Sequence, residues 1–454
     1  MMSGEGALSV YARAKELEGQ GRSIIHLELG EPDFHPPAPV NEALKHAMDA
    51  GRDRYCPVAG VPALREAIAE YLRDTRNLNV SPDHVVIAPG CKIALFMALM
   101  TLLDPGDEVL YPDPGFPGYP SITLGLGGIP EPFELSERNH FQPNPDEIAA
   151  KITPRTKILI TNSPGNPTGT VYTDEVQRRI SALAVKYDLL VLSDEIYARI
   201  IYGGQNVSML SYPGMEERTL IIDGFSKSFA MTGWRLGYTV APVHIVPALQ
   251  MLAVNSYTCV AEFTQYGAIE ALKDRSGATP RMVGEFAKRR AQFLRDLNRV
   301  PGFRCAPPEG AFYAWVNISD TGMTAEELCR IMLEEAGVAA IAGGAFGSTG
   351  REFVRFSFAS STATLQEAVQ RIQRVSSAWQ KKRVGEMSEA ESELTTNDAE
   401  DTEQGFKYAM SCVPSVVKRI EWRFHESQGN AAPYLGYSRC AVYGSSPGPP
   451  LSRS

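Results

Sequence analysis

No apolar stretch in this chain approaches the roughly 18 residues that a membrane-spanning helix requires, so no helical membrane anchor is expected. A basic excess is also missing. Lysine and arginine number 44 against 53 acidic residues, and the formal charge of −9 offers no basic face to nucleic acid. Cysteine is scarce and odd in number. Cys56, Cys91, Cys259, Cys305, Cys329, Cys412 and Cys440 form no CxxC pair. That pattern argues against a zinc site or a disulfide framework and for free thiols in a reducing, cytoplasmic setting. The opening residues, Met1 to Leu8, have no basic stretch ahead of an apolar core, so no secretory signal is expected there. What is present is ordinary for a globular enzyme: 44% hydrophobic and 21% charged residues. At 454 residues the chain is too long for one small core, and at least two packed units are expected.

Between about residues 40 and 275, short apolar segments alternate with helical ones. Asp83–Ile87, Glu108–Tyr111, Lys157–Ile160, Leu189–Leu192 and Leu220–Ile222 read as strands, while Lys92–Leu103 and Asp174–Tyr187 read as helices. Continuous apolar strands separated by helices predict an α/β fold: a mainly parallel sheet with helices on both faces. In such sheets ligands lie beyond the carboxyl ends of the strands. After residue 275 the texture becomes that of a smaller α+β unit. It has helices over Pro280–Arg299, Thr324–Glu335 and Leu365–Trp379 and strands over Gly310–Val316 and Phe353–Phe358, and the stretch Leu27–Asp33 is expected to join it. The chain therefore divides into an N-terminal arm (1–40), a large domain (41–275), a small domain (276–384) and a tail (385–454). The tail is expected to be disordered, being acidic over Glu386–Glu403 and rich in Gly, Ser and Pro at its end. Val413, Val416, Val417, Ile420 and Phe424 fall at helical spacing within it, but no catalytic pattern accompanies them, and the tail reads as a dispensable extension.

Three of the strands run into polar clusters. Lys157–Ile160 leads to Thr161-Asn162-Ser163-Pro164-Gly165-Asn166-Pro167-Thr168-Gly169, Leu189–Leu192 to Ser193-Asp194-Glu195-Ile196-Tyr197, and Leu220–Ile222 to Lys227. Parallel strands would bring all three to one edge. A lysine there can form a Schiff base with an aldehyde cofactor and later shuttle a proton. Asp194 can pair with a pyridine nitrogen, and Asn166 and Tyr197 can donate to a phenolic oxygen. Pro89-Gly90-Cys91-Lys92 opens a helix after a strand, and Arg235 follows eight residues beyond Lys227; together they suit a phosphate. Taken singly, each has a plainer explanation: a solvated lysine, a turn at Asn-Pro-Thr-Gly, a helix cap at Asp194, an ion pair at Arg235. Their joint order at successive strand ends is what points to pyridoxal 5′-phosphate.

With these motifs the chain resembles a fold-type I pyridoxal-phosphate-dependent aminotransferase of class I/II, in the bacterial aspartate/aromatic aminotransferase-like branch. The resemblance runs from about residue 5 to 380. It rests on Gly30-Glu31-Pro32-Asp33-Phe34, Tyr55 with Gly60, Asn166–Gly169, Ser193–Tyr197, Ser226-Lys227 and Met231-Thr232-Gly233-Trp234-Arg235. It implies an enzyme of amino acid metabolism that moves an amino group from an L-amino acid to a 2-oxo acid. Lys227 resembles the Schiff-base lysine, Asp194 the pyridinium partner, and Asn166 and Tyr197 the donors to the phenolic oxygen. Arg235, Ser226 and the amides of Cys91 and Lys92 resemble the phosphate cradle. Phe116 sits where the family stacks an aromatic on the ring. Arg355 resembles the fork for the substrate α-carboxylate, which Gly30 and Asn166 also contact. Tyr55 resembles the residue lent to a neighbouring subunit's phosphate, which implies a homodimer. Two departures stand out. Gly224 occupies a position that is often a phosphate-binding serine. Glu5 and Ala7 stand where members acting on acidic substrates carry a Ser/Thr pair, although Lys92 lies where some relatives contact a distal carboxylate. The same scaffold also supports a carbon–sulfur β-lyase, and a non-catalytic regulator is the remaining alternative.

Overall fold

The computed structural model describes residues 6–376. The tail at 385–454, with its amphipathic segment, lies outside the described residues, as does Glu5. The strands in chain order are β1 (Ile25–His26), β2 (Val85–Ala88), β3 (Glu108–Asp113), β4 (Ile129–Glu134), β5 (Thr156–Asn162) and β6 (Leu190–Asp194). They continue with β7 (Thr219–Gly224), β8 (Gly237–Val240), β9 (Tyr313–Asn317), β10 (Val338–Ala339), β11 (Ile341–Ala342) and β12 (Phe353–Ser357).

Seven strands form the main sheet in the order β2-β8-β7-β6-β5-β3-β4. All neighbours from β7 to β4 are parallel, and β8 alone runs against both β7 and β2. The central strands are buried along almost their whole length because apolar side chains face both ways and helices cover both faces. Two strands in this sheet carry no clear sequence signal. β4 reads Ile-Pro-Glu-Pro-Phe-Glu, and its two prolines are tolerated because it is an edge strand. β8 is four residues long and begins with glycine.

Several predicted elements shift at their ends. The predicted strand at Asp83 begins instead with a 3-10 turn, Pro82–His84, before β2. The helix after β5 and the first polar cluster, Asp174–Lys186, is capped by the Thr173 hydroxyl, which accepts from the Val176 amide at 3.3 Å. The helix predicted over Thr324–Glu335 is α-helical over Ala325–Ile331, held by a capping box between Thr324 and Glu327, and continues as a π-turn over Met332–Ala336. The last predicted helix is observed over 362–376.

β11, β12 and β9 make a second, antiparallel sheet. The N-terminal stretch meets this part of the chain. β1 pairs with β10, Leu27 N–H donates to the Ala339 carbonyl at 3.1 Å, and the Ser357 N–H returns a bond to the Leu27 carbonyl at 2.7 Å. Gly30 and Arg355 are thereby carried to the carboxyl edge of the main sheet.

Candidate active site

Register explains how distant residues meet. Asn162 at the end of β5 pairs with Asp194 at the end of β6, which pairs with Ile222 of β7, five residues before Lys227. These ends open on a cavity of about 320 Å³. Lys227, Asp194, Asn166, Tyr197, Arg235, Ser226, Cys91, Lys92, Phe116, Gly30 and Arg355 all line it. Tyr55 does not: it is 87% exposed on its own chain and stands away from the cavity.

Lys227 Nζ donates to the Gly30 carbonyl. Burial drives its pKa down to about 8, with the Arg355 and Arg235 guanidiniums adding to the fall and the Glu31 carboxylate opposing it. Asp194 is moved the other way. Burial lifts its carboxyl to about 6, against the hydrogen bonds from the Tyr119 hydroxyl at 2.7 Å and the Ile196 amide at 3.3 Å. An amine pushed toward neutrality and a carboxyl pushed toward protonation share one cavity, an arrangement enriched at catalytic sites.

The surrounding polar groups form a connected chain. Asn162 Nδ2 donates to the Asp194 carbonyl at 3.1 Å, and its Oδ1 accepts from the Asn166 amide at 2.8 Å. Asn166 Oδ1 accepts from Arg355 Nη1 at 2.9 Å, and Arg355 Nη2 donates to the Glu28 carbonyl at 2.6 Å. The Arg355 guanidinium, 5% exposed, lies between the rings of Tyr313 and Phe346, at 4.4 and 4.8 Å from their centroids. The hydroxyls of Tyr197 and Tyr313 are 2.7 Å apart, and burial raises the pKa of both.

At the other end, Gly90 caps the helix Cys91–Leu102 without any side-chain acceptor. The Arg235 guanidinium packs against it: a Cβ at Gly90 would sit 2.5 Å from an Arg235 terminal nitrogen. Arg235 holds a left-handed backbone with φ of 53° and donates to the Thr232 carbonyl at 3.0 Å. Lys92 Nζ lies 5.7 Å from the centroid of the Phe116 ring. Gly224 now has a physical reason. A Cβ there would lie 2.7 Å from the Gly237 Cα and 2.8 Å from Cys91 Sγ, so the neighbouring strand and the Cys91 thiol fill the space a serine would need.

Sequence reasoning missed Asn162, Tyr119, Tyr313, Phe346 and Glu28. Asn162 lies inside the first polar cluster and was recoverable as the last residue of a strand running into it. Tyr313 and Phe346 left no local signal. Among the described residues no group of three or more His, Cys, Asp or Glu side chains is arranged to hold a metal. Within the same residues no helix is long and apolar enough to cross a membrane.

Comparison with known proteins adds to this geometry. The family described as aminotransferase class I and II matches residues 22–372. An aspartate aminotransferase of Pyrococcus abyssi is 40% identical over 358 residues, covering 78% of this chain and 92% of the relative. An aromatic-amino-acid aminotransferase 2 of Thermococcus litoralis is 39% identical over 370 residues, 81% of this chain and 94% of that one. Among solved structures, the aspartate aminotransferase of Thermus thermophilus with maleate superimposes with a TM-score of 0.79 at 36% identity, over 82% of this chain and 97% of its own.

Proposed function

The chain belongs to the aminotransferase class I and II family, and from that premise we propose how its residues divide the work of moving an amino group. The protein is a pyridoxal-phosphate-dependent aminotransferase of fold type I. The observation that carries the assignment of residues is the half-buried Lys227 amine, lowered to about 8, in one cavity with Asp194.

The cavity suits the cofactor on its own donor set. The helix beginning at Cys91 has no side-chain cap, so its first amides are available to a phosphate, and Arg235 supplies a fixed cation beside Gly90. Ser226, buried at the same wall, adds a hydroxyl. Phe116 offers a ring face, and Asp194 a carboxylate for the ring nitrogen. Pyridoxal phosphate supplies an aldehyde that bonds amines and a ring that accepts the electrons left when a substrate Cα loses its proton.

Lys227 is the residue whose Nζ would hold the cofactor's aldehyde carbon, and its free amine would be the base for the substrate Cα proton. A pKa of about 8 makes a useful fraction of that amine neutral near physiological pH. Asp194 would pair with the ring nitrogen and favour its protonated form. Tyr197 would donate to the phenolic oxygen, as would Asn166 Nδ2, which is left for the task because Asn166 Oδ1 serves Arg355. Arg355, flanked by two aromatic rings, forks onto the α-carboxylate. Gly30 presents backbone to the same carboxylate and packs against the Tyr313 hydroxyl. Phe116, Lys92, Leu8, Ile341 and Phe346 line the same cavity, and we assign them as the walls around the substrate side chain. A cation beside apolar walls suits both acidic and aromatic donors, in keeping with the relatives' names.

We assign Tyr55 to a neighbouring subunit's phosphate, in a homodimer. Its 87% exposure supports this, as do the exposed side chains of Met48 on the helix Ala38–Asp49 and of Met251 and Val254 on the helix Val246–Ser256. The cytoplasmic reading is supported by five free cysteines among the described residues. Borohydride reduction of the holoenzyme followed by peptide mapping tests the central assignment. The pyridoxyl group is expected on Lys227, and a label on another lysine refutes it.

A further inference from the structure

We propose that Asp113 is a positioning residue that pins the 343–350 loop as one wall of the substrate pocket, setting both the grip of Arg355 and the choice of substrate side chain. The proposal rests on the reading of Arg355 as the carboxylate fork.

Asp113 ends β3 and is 3% exposed. Its carboxylate accepts from two consecutive residues of a loop more than two hundred positions away. Oδ2 takes the Ser348 amide at 3.0 Å and the Ser348 hydroxyl at 2.9 Å. Oδ1 takes the Thr349 amide at 3.3 Å and the Thr349 hydroxyl at 2.7 Å. The Gly115 amide adds a bond to the Phe346 carbonyl at 2.8 Å. Gly347 has φ of 135°, and a Cβ there would lie 2.0 Å from Asp113 Oδ1, so the carboxylate occupies the space of any side chain at that position. Four donors on one ionised carboxylate make a charge-assisted clamp, stronger than the same number of neutral hydrogen bonds.

The clamp joins the two walls of the pocket. Phe116 lies three residues beyond Asp113 on its own segment. Ala345 and Phe346 lie just before the clamped residues on the loop, and all three line the cavity. Phe346 is also the ring at 4.8 Å from the Arg355 guanidinium, and it packs edge-on against Trp315 at 5.6 Å. The separation between Phe116 and Phe346 is therefore set by a carboxylate that does not itself line the cavity. Releasing it frees Phe346 from Arg355 and lets the pocket widen.

The test compares wild-type holoenzyme with Asp113→Ala and, separately, with the pair Ser348→Ala and Thr349→Val. Two readouts are taken: amide hydrogen exchange across residues 343–350, and steady-state kinetics with L-aspartate and L-phenylalanine as donors. In Asp113→Ala the amides of Ser348 and Thr349 exchange faster by on the order of tenfold or more, since their acceptor is gone. KM rises by on the order of tenfold for the donor that the wild type prefers and by less for the other, while kcat changes by less than about threefold, the split expected when binding rather than chemistry is loosened. The ratio of the two kcat/KM values moves toward one. The Ser348/Thr349 pair, which keeps both backbone amides, shows the same changes more weakly and carries the test if Asp113→Ala does not fold. Unchanged exchange overturns the clamp. Faster exchange with unchanged KM and unchanged donor ratio overturns the positioning role. Failure of the underlying reading looks different: Arg355→Lys would then leave donor KM unaltered, whatever the loop does.

Discussion

The hydroxyl of Tyr119 donates a 2.7 Å hydrogen bond to Oδ2 of Asp194. Burial lifts the Asp194 carboxyl to about 6, and this bond is the largest force acting against that rise. Tyr119→Phe removes the donor and keeps the ring, so Asp194 will hold its proton to higher pH than in the wild type. A hydrogen bond to a charged group contributes about 1.5–3 kcal/mol, or about one to two pH units, so activity at pH 7 is expected to fall by roughly twofold to tenfold. The acid limb of the kcat/KM profile should move upward by about one pH unit or more. A pH-rate profile checks both, and an unmoved acid limb would disconnect Tyr119 from the ionisation of Asp194.

The lowered pKa of Lys227 costs stability, and the sign can be worked out. Its folded value of about 8 lies below the ordinary 10.5, so the unfolded chain binds more protons between those values. The unfavourable contribution is fully present below pH 8 and fades as pH rises toward 10.5. Asp194, raised from 3.8 to about 6, acts in its own window, where stability falls as pH rises from 3.8 through 6. At pH 7 the cofactor-free chain therefore carries both burdens. Lys227→Met is expected to abolish transamination and yet stabilise the cofactor-free protein at pH 7 by about 1–3 kcal/mol, allowing for the partial exposure of the amine. Urea unfolding at a series of pH values should show this gain shrinking above pH 8. A constant gain would trace the effect to packing instead.

Behind the cavity, Arg76 joins Glu195 at 2.7 Å and also pairs with Asp223, with all three side chains no more than 4% exposed. Glu195 is the residue after Asp194, and Asp223 is four residues before Lys227, so this triad underlies two strand ends of the site at once. Arg76→Met leaves two buried carboxylates without their cation. The expected cost is about 3–5 kcal/mol, because an unpaired buried charge is worse than no charge. Adding Glu195→Gln and Asp223→Asn in the same background should recover part of the loss. Denaturant unfolding of the three forms decides the matter, and a single variant that loses less than about 1 kcal/mol contradicts a closed ion-pair triad.

What the sequence revealed about this site, and what it hid, follows from range. Asp194, Asn166 and Lys227 were readable because each follows an apolar strand within a few residues, and parallel pairing then brings the strand ends together. β4 and β8 escaped notice because prolines dilute one and the other is only four residues long. Tyr119 and Asp194 are 75 residues apart, and Arg76 and Glu195 are 119 apart. Contacts at that range leave no periodicity and no spacing, and they exist only once the sheet has formed. The clamp on Asp113 is of the same kind. Tyr55 differs again: the motif was visible, but its exposed position gives it no partner within its own chain's cavity.

Gly224 stands where a phosphate-binding serine is often found, and its surroundings turn that departure into a prediction. A serine there would place its Cβ 2.7 Å from the Gly237 Cα, 2.8 Å from Cys91 Sγ and 3.0 Å from the Leu236 carbonyl oxygen. Two of these neighbours are backbone of β8 and its approach, which cannot rotate aside as a flexible side chain could. Gly224→Ser is therefore expected to destabilise the protein by about 1–3 kcal/mol, the usual range for overpacking a filled space. Trimming the thiol with Cys91→Gly relieves only one of the three contacts, so the double variant should regain little. The Cys91 amide, which points from the start of its helix, depends on the same β7–β8 spacing. Affinity for pyridoxal phosphate should thus fall in Gly224→Ser even though a hydroxyl has been added. Thermal unfolding and cofactor titration of the cofactor-free protein measure the two effects separately. Tighter cofactor binding with unchanged stability would mean that the strands part easily, and that glycine at this position is not required by packing.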